Sequence, residues 1–177
     1  MKKVLLFLLL MVCLPVSAQD EVVRDVCSVK FGDSFDVAKD KLREYFKDKK
    51  SASPTAAISN KHIVFEMPDL STIHYLYEYY EGIAFDNLFF SFDKNGKFDW
   101  ANFWIECKNR KEAQEVFEEV ASVLSLKYDL YTGKDEKGIF IGYAGGINYN
   151  KPEKKAFFLE LDYEDNTVHL YFSEKGL

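Results

Sequence analysis

The side chains best able to do chemistry in this 177-residue chain are three histidines, His62, His74 and His169, and the cysteines Cys27 and Cys107. A neutral imidazole acts as a general base when a carboxylate orients it. The last two apolar runs flank Asp165-Asn166, a pairing that sets His169 across from Asp162. A small hydrolase built on that pair is one reading, although no nucleophile stands beside it in the sequence. His62 and His74 fall on neighbouring strand-like segments and are placed to approach each other. There is no Gly-x-Ser-x-Gly, His-Glu-x-x-His, phosphate-loop or dinucleotide-binding glycine pattern. Gly142-Tyr143-Ala144-Gly145-Gly146 is rich in glycine but lacks a phosphate-binding lysine in position, and reads as a flexible loop. Asp93-Lys94-Asn95-Gly96 opens like a calcium loop, but its twelfth position is Trp104 where a glutamate is needed. These motifs call for no metal and no cofactor.

Cys27 and Cys107 have no zinc-type spacing. In an oxidising compartment an even pair invites a disulfide, and closing so long a loop contributes about 4 kcal/mol. Two free buried thiols are the other reading, since each lies among apolar neighbours. The compartment follows from the start of the chain. Lys2-Lys3 precede an apolar run, Val4 to Leu14, and then Val16-Ser17-Ala18. That is the plan of a secretory signal, with cleavage expected after Ala18 and a periplasmic or secreted product. Lipidation at Cys13 fits poorly, because Val12 stands where a lipobox needs a small residue. The run is too short for a membrane-spanning helix, and no other approaches that length. No integral membrane segment is expected after cleavage.

Residues 19–177 are the size of one domain. With 47% hydrophobic and 16% aromatic residues, the chain has the composition of a packed core. Losing Lys2 and Lys3 with the leader moves the net charge from −6 to −8. An acidic surface disfavours nucleic acid and anionic membranes.

The apolar pattern predicts the elements. Val22 to Phe31 alternates as a strand, and Gly32-Asp33-Ser34 then breaks the chain, with Asp33 placed to cap a helix. Phe35, Ala38, Leu42 and Tyr45-Phe46 form a helical stripe. From Lys61 the period becomes two, with strands up to Met67, over Thr72 to Tyr80, and after Gly82. Tyr75, Tyr77 and Tyr79 alternate as an ordinary strand does. Asn95-Gly96 is the preferred pair of a tight two-residue hairpin. Asn109 followed by Glu112 is a capping box for a second helix, and further strands follow.

The order expected is strand, helix, four strands, helix, three strands. Helix-plus-strands thus occurs twice, with possible half-repeats 22–107 and 108–177. Phe89-Phe90 precede Glu106 by the spacing that separates Phe157-Phe158 from Glu174. The expected fold is α+β, two layers, with two helices on one face of an antiparallel sheet. With Gly32-Asp33-Ser34 before the first helix, the arrangement resembles the β-lactamase-inhibitor-protein-like fold and related small envelope lipoproteins. The resemblance implies protein binding or assembly work without catalysis.

Hairpin register then sorts the faces. With Asn95-Gly96 as the loop, Lys94 meets Lys97, and directly opposed residues share a side. One side holds Leu88, Phe90, Phe92, Ala101, Phe103, Ile105 and Cys107. The other holds Phe85, Asn87, Phe89, Ser91, Trp100, Asn102, Trp104 and Glu106. In the last hairpin, Phe157, Leu159, Leu161 and Tyr163 share a side with Val168, Leu170 and Phe172, leaving Tyr171 and His169 opposite. The expected site is therefore the polar and aromatic face, with Phe89, Trp100, Trp104 and Tyr171 for contact area. Asn87, Asn102 and Glu106 supply specificity toward a protein or a glycan. A covering loop, a homodimer, or rings packed on one another would account for the same residues. A carrier holding an apolar ligand between sheet and helices is the remaining reading.

Overall fold

The computed structural model describes residues 21–49, 51–52 and 62–176. The leader, Cys13 and the cleavage point lie outside them, as does the loop around Pro54. Among the described residues, no helix is long and apolar enough to cross a membrane.

Two helices form where the stripes predict them. In α1 (Phe35–Lys47) the buried residues are Ala38, Leu42 and Phe46, one side chain per turn on a single stripe. The expected cap is displaced by one residue. Ser34 is the N-cap and makes no side-chain bond, while the Asp33 carboxylate takes the Lys30 N–H at 2.8 Å and the Lys41 ammonium at 2.6 Å. In α2 (Arg110–Ser125) Asn109 accepts the N–H groups of Lys111 and Glu112, both at 3.1 Å. Glu112 accepts the Lys108 N–H at 2.8 Å, one residue before the N-cap, in place of the Asn109 N–H of the expected capping box.

The strands are β1 (Val22–Val23), β2 (Ile63–Met67), β3 (Thr72–Tyr80), β4 (Ile83–Phe92), β5 (Phe98–Glu106), β6 (Leu130–Lys134), β7 (Phe140–Asn148), β8 (Lys155–Asp162) and β9 (Thr167–Ser173). They form one sheet in the order β1-β7-β8-β9-β5-β4-β3-β2, with β6 also on β7. This corrects the expected fold. The molecule is mostly sheet, 47% strand, in one strongly curled mixed sheet, with two α-helices among the described residues, and is not a two-layer unit repeated twice. The reason lies in two pairings that local pattern does not specify. β5 pairs with β9 from Trp100↔Ser173 to Glu106↔Thr167, which fuses the strands of both halves. β1 then adds parallel to β7, making the sheet mixed.

Irregularities bend the sheet further. Register shifts occur at Ser91/Phe92 and at Gly133/Lys134. Tyr77, at φ 55°, lies between the pairs Leu76↔Asn87 and Glu78↔Phe85. There the sides exchange: Ile73 and Tyr75 are buried before it, Glu78 and Tyr80 after it.

The stretch read as a first strand is mostly turn. Val26 and Val29 exchange backbone bonds at 2.9 and 3.0 Å around Cys27 and Ser28. The glycine-rich stretch is strand, not flexible loop. A Cβ on Gly145 would stand 2.5 Å from the Phe157 ring, and one on Gly142 would stand 2.0 Å from the Leu159 carbonyl oxygen. Glycine here lets the rings of β8 close onto β7.

The core lies between the helices and one sheet face. Phe103, at the centre of β5, meets Tyr80, Phe85, Phe90 and Phe172 at 5.2 to 5.8 Å between centroids. Phe46 of α1 packs on Tyr75 at 4.6 Å, and Phe117 of α2 stacks on Tyr143 at 5.6 Å.

Candidate functional site

Register builds the opposite face strand by strand. One row runs Phe65, His74, Phe89, Asn102, Tyr171, Phe158 across β2, β3, β4, β5, β9 and β8. The adjacent row runs Leu76, Asn87, Trp104, His169, Glu160. Trp100, opposite Ser91 and Ser173, lies beyond the first row. All seven residues expected in the site fall on this side of the sheet. Phe85 does not: it is 1% exposed and packs on Phe103, because the sides exchange beside Tyr77.

Six rings close a circuit here. His74 stacks on Trp104 at 5.8 Å, Trp104 meets His169 at 6.1 Å, and His169 lies at 5.4 Å and 5° from Tyr171. Tyr171 stacks on Trp100 at 6.0 Å, and Phe89 completes the loop to Trp100 at 6.1 Å and to His74 at 5.8 Å. Asn102 sits in the middle, opposite Phe89 on one side and Tyr171 on the other, and is 9% exposed. Its amide lies 3.2 Å from His169 Nδ1, while His169 Nε2 meets the Thr167 hydroxyl at 2.9 Å. His74 Nε2 meets Asn87 Oδ1 at 3.0 Å. Both histidines therefore belong to the site; their even spacing with the register partners of Asn87 and Trp104 was the available signal.

Electrostatics follow from partial burial. Desolvation lowers both imidazoles, opposed by Asn87 at His74 and by Asp162 and Asp165 at His169. Tyr171 is pushed up to about 12, first by burial and then by the Glu160 carboxylate to which its hydroxyl bonds. Glu160 is raised by burial. Glu106 is exposed, and its backbone N–H donates to Asp86 at 2.8 Å. Glu160 stands in register with His169, and Glu106 and Asp162 lie opposite Thr167 in the next row; among the described residues these two rows hold no lysine or arginine.

The hydrolase pairing does not form. His169 lies opposite Glu160, and Asp162 opposite Thr167, because the connecting loop runs from Tyr163 to Asn166. His62 and His74 are on opposite sides of the sheet: His62 packs on Phe46 and bonds Glu78 at 2.6 Å. Tyr163, expected in the core, is exposed, and its hydroxyl donates to Gln114 at 2.9 Å. Cys27 and Cys107 are both free. They stand at opposite ends of α2, Cys27 beside Tyr128 and Cys107 just before Arg110. A 16-residue helix spans about 24 Å, far beyond disulfide reach. Among the described residues, no three His, Cys, Asp or Glu side chains converge as a metal site.

Comparison with known proteins finds no matching family model, no matching curated protein and no matching solved structure. These comparisons leave the resemblance to the β-lactamase-inhibitor-protein-like fold untested.

Proposed function

We propose that this chain is an exported, non-catalytic binding protein of the bacterial cell envelope that holds a polypeptide partner against the outer sheet face. The observation that carries the reading is the ring circuit around Asn102, on the side of the sheet opposite Phe46 and Phe117 of the helices. The imidazoles are bonded within the circuit and serve as its walls, not as bases.

Ring orientation favours a polypeptide over a glycan. Four of the six contacts are within about 31° of parallel, so the rings occupy one another's faces. Sugars stack on free ring faces; edges, amides and hydroxyls suit peptide groups instead. Charge selects the partner further. Glu106, Glu160 and Asp162, whose rows hold no lysine or arginine among the described residues, match a surface bearing arginine or lysine, and guanidinium also stacks on aromatic groups.

The test is selection from a random-sequence peptide library displayed on phage, with cellohexaose and chitohexaose as glycan arms. Selected peptides should be rich in Arg and Lys. Their affinity should fall at least about tenfold in Trp100→Ala and Trp104→Ala variants that keep the wild-type circular dichroism. Peptides without basic enrichment, binding unaffected by both substitutions, or Trp-dependent binding of either glycan would each overturn the reading.

A further inference from the structure

The ring face runs out to an open strand. β2 ends the sheet on that side and pairs only with β3. Its residues match those of β3 without a register shift, from Ile63↔Leu76 to Met67↔Thr72. Every second residue of β2 therefore turns its backbone N–H and C=O away from β3. Among the described residues, no hydrogen bond is made to that outer row.

Proteins ordinarily guard such an edge with a lysine, a proline, a bulge or a very short strand. The other end of the sheet is guarded in this way: β1 has two residues, and β6 shifts register at Gly133/Lys134. β2, Ile63-Val64-Phe65-Glu66-Met67, has no lysine, proline or bulge. Its one charge, Glu66, is turned to the helix side, where Lys39 and Arg43 of α1 hold it at 2.8 and 3.1 Å. Val64 is 38% exposed and Phe65 50%.

Phe65 ties this edge to the ring circuit. It lies opposite His74 with centroids 6.3 Å apart, and Ile63 and Met67 flank it on the same side. A strand added outside β2 would lie about 4.8 Å away. Half of its side chains would then extend the row that runs from Phe65 through His74 and Phe89 to Asn102. The other half would stand beside Val64.

We propose that the partner polypeptide binds as an extended strand along the open edge of β2, with alternate side chains laid over Phe65 toward the ring circuit. The inference rests on the polypeptide reading of the outer face and adds how that chain is held. A row of free backbone donors and acceptors is matched by another extended backbone, while the ring side selects among its side chains. An arginine beside Phe65 stacks its guanidinium on the half-exposed ring. A second copy of this chain is the poorer occupant, because two molecules of net charge −6 repel and a basic segment is attracted.

The experiment takes the tightest-binding basic peptide of the phage selection and synthesises it in versions N-methylated at one residue each. N-methylation removes a single backbone donor and leaves side chain and charge in place. Calorimetric affinity should fall at least about tenfold at alternate positions along the paired stretch and less than about twofold at those between. Amide exchange over Ile63 to Met67, read by NMR, should slow at every second residue in the complex. Phe65→Ala, a change at a half-exposed ring, should weaken binding at least about threefold while keeping the wild-type circular dichroism. Losses without alternation, or unprotected β2 amides in a complex that still needs Trp100 and Trp104, would overturn strand addition and leave peptide binding to the face standing. Selection of no basic peptide would sink both readings. A dimer seen by light scattering that the peptide fails to dissociate would give the edge to a second copy and overturn the proposal.

Discussion

Replacing Asn102 with alanine tests whether the ring circuit is built around its amide. Asn102 is 9% exposed and stands 3.2 Å from His169 Nδ1. Removing it leaves that imidazole nitrogen facing rings, with only the Thr167 contact on its other nitrogen. The imidazole is only part-buried, so leaving this nitrogen unpaired costs about 1 kcal/mol, the low end of the range for a buried group. For a chain of this size that lowers the melting temperature by roughly 2–4 °C. Thermal unfolding followed by circular dichroism reads the shift. A double-mutant cycle with His169→Phe isolates the pair. Once both polar partners are gone, most of the loss should be recovered, giving a coupling of at least about 0.5 kcal/mol. A melting temperature within 1 °C of wild type in Asn102→Ala, or strict additivity in the cycle, would refute a circuit organised by this amide.

Acid should weaken the same face. His74 and His169 have lowered pKa values in the folded chain, so folding favours their neutral forms. That stability is complete above the ordinary imidazole value of 6.5 and is lost as pH falls through the folded values. Melting temperatures from pH 8 to pH 5 should fall, and the double variant His74→Gln/His169→Gln should flatten the slope; a slope unchanged in that variant argues against it. Gly145→Ala should destabilise by about 1–3 kcal/mol in urea titration, because its Cβ would sit 2.5 Å from the fully buried Phe157 ring. Unaltered stability there would mean that β7 and β8 are not so closely packed. In protein lacking residues 1–18, a thiol reagent at pH 8 should label Cys107 in the folded state and Cys27 only after unfolding. Cys27 is 3% exposed with its thiol raised by burial, whereas Cys107 is partly exposed. Two protected sulfurs under denaturing, non-reducing conditions would instead reveal a bridge.

The hairpin between β4 and β5 shows how sequence and structure share the work. Local preference places a two-residue turn at Asn95-Gly96, but the chain makes a four-residue turn, Asp93 to Gly96, closed by the Gly96 N–H on the Asp93 carbonyl at 2.8 Å. The Asp93 carboxylate takes the N–H groups of Asn95 and Lys97 at 2.8 and 2.9 Å, and these bonds hold it below its usual pKa. This turn offsets the register by one residue, and the shift at Ser91/Phe92 restores it. Phe89 consequently faces Asn102 and Ser91 faces Trp100, as the alternation of apolar residues requires. Tight two-residue turns occur instead at Glu81-Gly82, where φ is 49° and 82°, and at Cys27-Ser28, where φ is 52° and 68° and no local turn signal stands.

What the sequence by itself determined is periodic. The two helical stripes, the cap at Asn109 and the sorting of Phe90, Phe103, Leu159 and Leu170 to a buried side all rest on neighbours within a few residues or on a single hairpin. Only the tertiary structure decided the pairing of β5 with β9, the parallel addition of β1 and the exchange of sides beside Tyr77. Those choices join residues more than sixty positions apart, such as Asn102 and His169. They depend on which edges meet as the sheet closes over its core, and no local period encodes that. The ring circuit inherits the same division: alternation selects its side chains, and the long-range strand pairing brings them together.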